Sequence, residues 1–262
     1  MYKVTKYPHG TFSWADVGTY DTEKGKSFYM ELFGWEKQEM PMGGGMTYTM
    51  FHQDGENVAA LSPMLPDAAE QGIPPAWTNY ITVDDVDAIV DPIKGNGGSI
   101  VHGPMDVFEN GRMLILQDPT GAHVALWQPK THIGADIINK PGAMMWNELA
   151  TKDIEKAKDF YSKVLGWEYE VDDTGYIMIK NNGRMNGGIL QMDESYGEMP
   201  SAWTVYFNVD DFEASTKKVE ELGGKIMVQA EAPGVGPFAV ITDPTGAALT
   251  IMKADKVDAW EE

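Results

Sequence analysis

The feature that most constrains this chain is that it is written twice. Phe28-Tyr29-Met30-Glu31-Leu32-Phe33-Gly34-Trp35-Glu36 returns as Phe160-Tyr161-Ser162-Lys163-Val164-Leu165-Gly166-Trp167-Glu168, an offset of 132 residues. Trp14 returns as Trp146 and Asp21 as Asp153 at the same offset. Trp77-Thr78-Asn79-Tyr80, followed by Val83-Asp84-Asp85, returns as Trp203-Thr204-Val205-Tyr206 with Val209-Asp210-Asp211, and Asp118-Pro119-Thr120-Gly121-Ala122 returns as Asp243-Pro244-Thr245-Gly246-Ala247. Blocks that recur in one order at nearly constant spacing mark a tandem duplication. The halves are 10–128 and 142–253, joined by a linker, 129–141, that holds Pro129, Gly134 and Pro141. A short acidic tail follows Lys253.

Each half repeats internally as well. Asp21 reads as the N-cap of a helix whose apolar stripe is Phe28, Leu32 and Phe33 and which stops before Gly34. Asp153, Asp84-Asp85 and Asp210 open three matching helices. The one after Asp85 carries Val86, Ile89, Val90 and Ile93, ends at Gly95, and is bent or shortened by Pro92. An alternating strand precedes each helix: 11–17, 77–83, 144–150 and 203–209. Short strand-like runs separated by Asp54-Gly55, Asn110-Gly111 and Asn182-Gly183 turns follow. The expected fold is α+β, a βαβββ module used four times.

Composition removes whole classes of chemistry. With no cysteine among 262 residues there are no disulfides, thiol nucleophiles, iron–sulfur clusters or cysteine zinc sites. Twenty basic against 40 acidic residues give a formal charge of −20, the wrong sign for nucleic acid or an anionic membrane surface. No apolar run approaches the length of a membrane span, and the first ten residues lack the apolar stretch of a signal peptide, so a cytoplasmic protein is expected. H-E-x-x-H, G-x-S-x-G and P-loop motifs are absent. Gly234-Val235-Gly236-Pro237-Phe238-Ala239 matches G-x-G-x-x-A only by letters, because Pro237 and the lack of a following helix make it a loop. Gly43-Gly44-Gly45 reads as a hairpin loop, with a pocket rim as the alternative.

Paired βαβββ units, with a glycine after the first helix and an Asp-Pro-Thr-Gly turn before the last strand, resemble the vicinal oxygen chelate superfamily. The carriers are 28–36, 160–168, 118–122 and 243–247, and details such as Trp127-Gln128-Pro129 and Trp146-Asn147-Glu148-Leu149 look like a two-domain glyoxalase/bleomycin-resistance-like subgroup. The resemblance implies that paired modules curl into a cup, with helices outside and a divalent metal on the concave face, held by His, Gln or Glu. The corresponding positions here are Trp14, Trp146, Thr78, Thr204, Ala125 and Thr250, with Ala60 and Gly188 or Ile189 in the fourth strands. None is a good ligand, so no metal and no cofactor are expected.

Strand alternation then says what the cups would hold instead. Trp14 shares a face with Asp16, Trp146 with Glu148, Thr78 with Tyr80, Thr204 with Tyr206, and Ala125 with His123 and Trp127. Glu148 and Asp16 are the candidate bases or cation anchors, with Tyr80 and Tyr206 as hydrogen-bond donors to them. Trp14, Thr78, Tyr80, His123, Trp127, Trp146, Thr204 and Tyr206 are the candidate ligand contacts. Rival readings stay open: tryptophans as core filler, carboxylates as solvated strand ends, His123 as an ordinary hydrogen-bonded residue. His132, like the other histidines, shows no ligand spacing. The residues point to a small-molecule-binding protein, monomer or homodimer, for an apolar or cationic ligand. The alternative is a lyase- or isomerase-type enzyme using a pocket carboxylate, and a scaffold that acts as an interaction subunit is a third reading.

Overall fold

The computed structural model describes residues 3–255, so most of the tail after Lys253 lies outside the described residues. The first half runs β1 (Thr11–Thr19), α1 (Thr22–Phe33), β2 (Glu36–Gly43), β3 (Met46–Gln53), β4 (Glu56–Pro63), a short α2 (Pro66–Glu70), β5 (Ala76–Thr82), α3 (Val90–Gly95), β6 (Ser99–Val107), β7 (Gly111–Gln117) and β8 (His123–Pro129). The second runs β9 (Met144–Thr151), α4 (Ile154–Leu165), β10 (Glu168–Val171), β11 (Ile177–Asn181), β12 (Arg184–Gln191), β13 (Ala202–Asn208), α5 (Phe212–Glu221), β14 (Lys225–Ala232), β15 (Gly236–Thr242) and β16 (Ala248–Met252). Four βαβββ modules result, as expected. Each half forms its own eight-stranded sheet, ordered β2-β3-β4-β1-β5-β8-β7-β6 and β10-β11-β12-β9-β13-β16-β15-β14.

Asp21 and Asp153 cap their helices as expected, whereas α5 is capped by Asp211 rather than Asp210 and α3 has no side-chain cap; the three capping aspartates accept from the backbone N–H three residues on. Gly34 and Gly166 close α1 and α4 in the left-handed conformation, which glycine adopts without steric cost. The helix expected after Asp85 shrinks to Val90–Gly95. Pro92 has no N–H to give the preceding turn, so only a helix with Pro92 in its first turn forms. The three glycines after Met42 make the β2–β3 hairpin turn, all with positive φ.

The helices lie outside the cups, on the face of each sheet opposite Asp16 and Glu148, and there they meet the other half. Packing places α1 against α5 and α3 against α4, between the two sheets. Phe28 and Tyr29 of α1 share one core with Phe207, Ile241 and Leu249 of the second half; Phe160 and Tyr161 of α4 share another with Ile81, Ile93 and Leu114 of the first. A helix stripe seeks any apolar partner, and here the other half supplies it. The concave faces therefore point away from the seam, on opposite sides of the molecule. The segment 129–141 is built in too: Ala135, Ile137 and Ile138 are buried, and Lys3 bridges to Ile137.

Hydrogen bonds across the seam come in reciprocal pairs. Tyr29 donates to Asp243 Oδ2 (2.7 Å) and Tyr161 to Asp118 Oδ2 (2.9 Å), and within each half Trp77 Nε1 donates to Tyr29 and Trp203 Nε1 to Tyr161. Trp35 Nε1 reaches the carbonyl of Gly142 and Trp167 Nε1 that of Gly10, both at 2.7 Å. Tyr29→Phe or Tyr161→Phe leaves a buried carboxylate oxygen and an indole N–H unpartnered. Each should lower unfolding free energy by about 1.5–3 kcal/mol in urea melts; a loss under about 0.5 kcal/mol in both would show that the clasp contributes little.

Candidate functional site

Register aligns the inner faces of the two sheets. In the first, one row crosses Met50, Ala60, Asp16 and Thr78, and the next crosses Trp14, Tyr80, Ala125 and Ile115. In the second, the rows are Met178, Gly188, Glu148 and Thr204, then Trp146, Tyr206, Thr250 and Val240. Each cup floor thus carries one carboxylate beside one tryptophan and near the sheet centre.

Two tyrosines clasp each carboxylate. Tyr48 and Tyr80 donate to Asp16 Oδ2 at 2.9 and 3.0 Å, and Trp14 Nε1 donates to the Tyr48 hydroxyl at 3.2 Å. Tyr176 donates to Glu148 Oε2 at 2.7 Å, Tyr206 to Oε1 at 2.8 Å, and Trp146 Nε1 to the Tyr176 hydroxyl at 3.0 Å. Tyr48 and Tyr176 escaped the sequence reading. Their signal was Tyr48-Thr49-Met50 against Tyr176-Ile177-Met178, at an offset of 128 that matched none of the longer repeat blocks.

Burial dominates the electrostatics. It raises Asp16 to about 6, against the pull of both tyrosine hydrogen bonds, and raises Glu148 in the same way. Burial and the neighbouring carboxylates push all four tyrosines upward, so they remain protonated donors.

The cups differ in three respects. Both tyrosines of the first use the same oxygen of Asp16, whereas those of the second take one oxygen of Glu148 each. Gly188, facing Glu148 across the strand pair, leaves room for Tyr176: a Cβ there would lie 1.9 Å from its hydroxyl. The equivalent position in the first cup is Ala60. Finally, the segment after β8 straps the first cup. His132 meets Trp14 edge-on at 4.7 Å between ring centroids, Trp127 Nε1 donates to the His132 carbonyl, and the His132 N–H donates to the Asn110 carbonyl. Burial lowers the His132 imidazole to about 4, and its Nε2 is buried without a partner among the described residues. Trp14 and Asp16 are left 3% and 7% exposed, while Trp146 and Glu148 stay partly open.

Of the residues singled out by sequence, Trp14, Asp16 and Tyr80 come together in one cup and Trp146, Glu148 and Tyr206 in the other. Thr78 and Thr204 lie half-buried opposite the carboxylates, and Trp127 backs the strap. His123 is exposed at the first position of β8, two positions along the strand from Ala125. His132 had no sequence signal, since a lone histidine in a linker has no spacing to read.

Residues 11–126 and 142–251 each match the Glyoxalase/Bleomycin resistance protein/Dioxygenase superfamily. The chain is 41% identical over 259 residues to the putative glyoxylase CFP32 of Mycobacterium tuberculosis, covering 97% of this chain and 98% of that protein. It is 32% identical to the anthracycline biosynthesis protein DnrV of Streptomyces peucetius, over 95% of both. In fold it is similar to the Mn(II)-bound glyoxalase of Novosphingobium aromaticivorans, with TM-score 0.66 and 14% identity, covering 100% of this chain and 86% of that one. A chelated divalent ion needs several strong donors. Each cup row offers one carboxylate, already engaged by tyrosines, and no group of three His, Cys, Asp or Glu converges among the described residues. That donor set does not fit such an ion.

Asp16 and His132 have opposite linkage. Between about pH 4 and 6 native Asp16 keeps a proton that the unfolded chain releases, so its contribution to stability falls as pH rises. Between about pH 4 and 6.5 the unfolded chain protonates His132 and the native protein does not, so its contribution rises with pH. Each is on the order of 3 kcal/mol, and in the native protein they largely cancel. Relative to the native protein, Asp16→Asn should gain stability with rising pH over this range and His132→Phe should lose it. Parallel denaturation curves for all three proteins would contradict both assignments.

Proposed function

Because the chain belongs to the glyoxalase/bleomycin resistance protein/dioxygenase superfamily, we propose that it is a small-molecule-binding member in which tyrosine-clasped carboxylates replace the superfamily's metal site in both halves. Its units are 10–128 and 142–253. The working site is the second cup. One observation carries this reading: the same Trp–Tyr–carboxylate–Tyr cluster occurs twice, strapped over by His132 in the first half but partly open around Glu148 in the second. A concave, aromatic floor with a few convergent polar groups is the usual make-up of a ligand site. Glu148 anchors the polar end of the ligand, and Trp146, Tyr206 and Thr204 contact its body. Relatives named for glyoxylase activity and for anthracycline biosynthesis agree with a small-molecule role.

The raised pKa of Glu148 favours a second, catalytic reading. A desolvated carboxylate is a stronger base than one in water, and the two tyrosine hydroxyls hold it in place beside the open side of the cup. Proton abstraction by Glu148 is the step a lyase or isomerase would need.

The two readings share a test. Ligand that co-purifies with the native protein is identified by native mass spectrometry and titrated against Glu148→Gln. Loss of one buried charge-assisted contact should weaken binding by about 1.5–3 kcal/mol, roughly ten- to a hundred-fold. Turnover of that ligand by native protein, absent in Glu148→Gln, selects the catalytic reading. Unchanged affinity in the variant would reject Glu148 as the anchor.

A further inference from the structure

Glu148 is a carboxylate without a counter-ion. Burial and the hydroxyls of Tyr176 and Tyr206 are the influences on it, and no Lys, Arg or His pairs with it among the described residues. Neutral donors stabilise the charge without cancelling it. Around it stand three aromatic side chains, Trp146, Tyr176 and Tyr206, whose indole and hydroxyl hydrogens already point along the chain of hydrogen bonds toward the carboxylate. Those hydrogens are therefore committed, and what is left to offer is the ring surface of Trp146 and Tyr176, which stay partly open while Tyr206 is buried behind them. The register also sets Glu170 of the edge strand β10 in the Met178–Gly188–Glu148 row, with Glu168 two positions along. Glu170 is paired with Lys180. The whole chain carries −20.

From this we infer that the second cup takes an organic ammonium: a cationic amine or quaternary nitrogen seated against Trp146 and Tyr176, with Glu148 as its counter-ion. The inference rests on the reading of the second cup as the ligand site and adds the charge of the ligand. Aromatic faces attract cations through the ring quadrupole, and the attraction grows when water is displaced. A carboxylate in the same wall adds Coulomb attraction across a partly desolvated gap. An anionic ligand would meet a carboxylate without a counter-ion on the floor, so the same geometry rejects it.

The test uses a matched pair of probes. Choline and its neutral isostere 3,3-dimethylbutan-1-ol have nearly the same shape and differ in the central charge. Both are titrated by NMR into the native protein, Glu148→Gln and a surface control, Glu220→Gln, which removes an exposed charge from α5. Choline should bind at least about ten-fold more tightly than the isostere to native protein and to the control. In Glu148→Gln this preference should disappear. Raising salt from low to physiological strength should weaken choline and leave the isostere unchanged, a readout that does not depend on any variant folding. Equal binding of the two probes, with shifts in the Trp146 indole signal, would overturn the inference and keep the second cup as a ligand site. Failure of both probes to bind at tens of millimolar would overturn the inference together with that reading.

Discussion

The structure depends on two hydrogen bonds that each half gives to the other: Tyr29 to Asp243 and Tyr161 to Asp118. Each aspartate is already occupied on its other oxygen. Asp118 Oδ1 accepts from Thr120 N, Thr120 Oγ1 and Ala122 N, and Asp243 does the same with Thr245 and Ala247. The Asp-Pro-Thr-Gly turn is thus both a self-satisfied bend and an acceptor aimed across the seam. A buried carboxylate is costly unless every lone pair finds a donor, and here the last donor comes from the opposite helix. The turn before the final strand and the helix of the other half specify each other.

This reciprocity explains which parts of the chain repeat. A contact of residue i with j′ matched by j with i′ is the rule of a two-fold dimer interface, and here it operates within one chain. Phe28-Tyr29, Gly34-Trp35, Trp77 and Asp118 all work at the seam, and so do their counterparts. The cups lie on the outer faces, free of that constraint. They have kept the carboxylate, the tryptophan and both tyrosines while changing what surrounds them: a strap over one, a glycine under Tyr176 in the other.

The sequence was legible where periodicity or repetition leaves a mark. Strand alternation correctly put Trp14 with Asp16 and Trp146 with Glu148 on one face, and it predicted Tyr80 and Tyr206 as donors. It did not reach Tyr48 and Tyr176, because the β2–β3 and β10–β11 turns differ in length and break the repeat register just before them. The helix stripes showed that α1 and α4 bury one face, but an amphipathic stripe does not name its partner, so the second half's role as that partner was invisible. Pro92 foretold a shortened helix. His132 was illegible because its position follows from the strap's backbone bonds to Asn110 and Ser13, which are tertiary facts.

Electrostatic asymmetry follows from the same geometry. A carboxylate buried in a chain of −20 raises its own energy and that of its neighbours. In the first cup burial is nearly complete: it raises Asp16 to about 6 and lowers the His132 imidazole, which lies edge-on to Trp14, to about 4. Burial thus disfavours the charged form of both groups: one resists losing its proton and the other resists gaining one. In the second cup there is no equivalent of His132 among the described residues, both oxygens of Glu148 are held by tyrosines, and partial exposure keeps solvation available. The tyrosine clasp preserves the position of the charge without neutralising it. A site that holds a negative charge in place while leaving it uncompensated is preorganised for a positive partner, because the desolvation cost is largely met before that partner arrives.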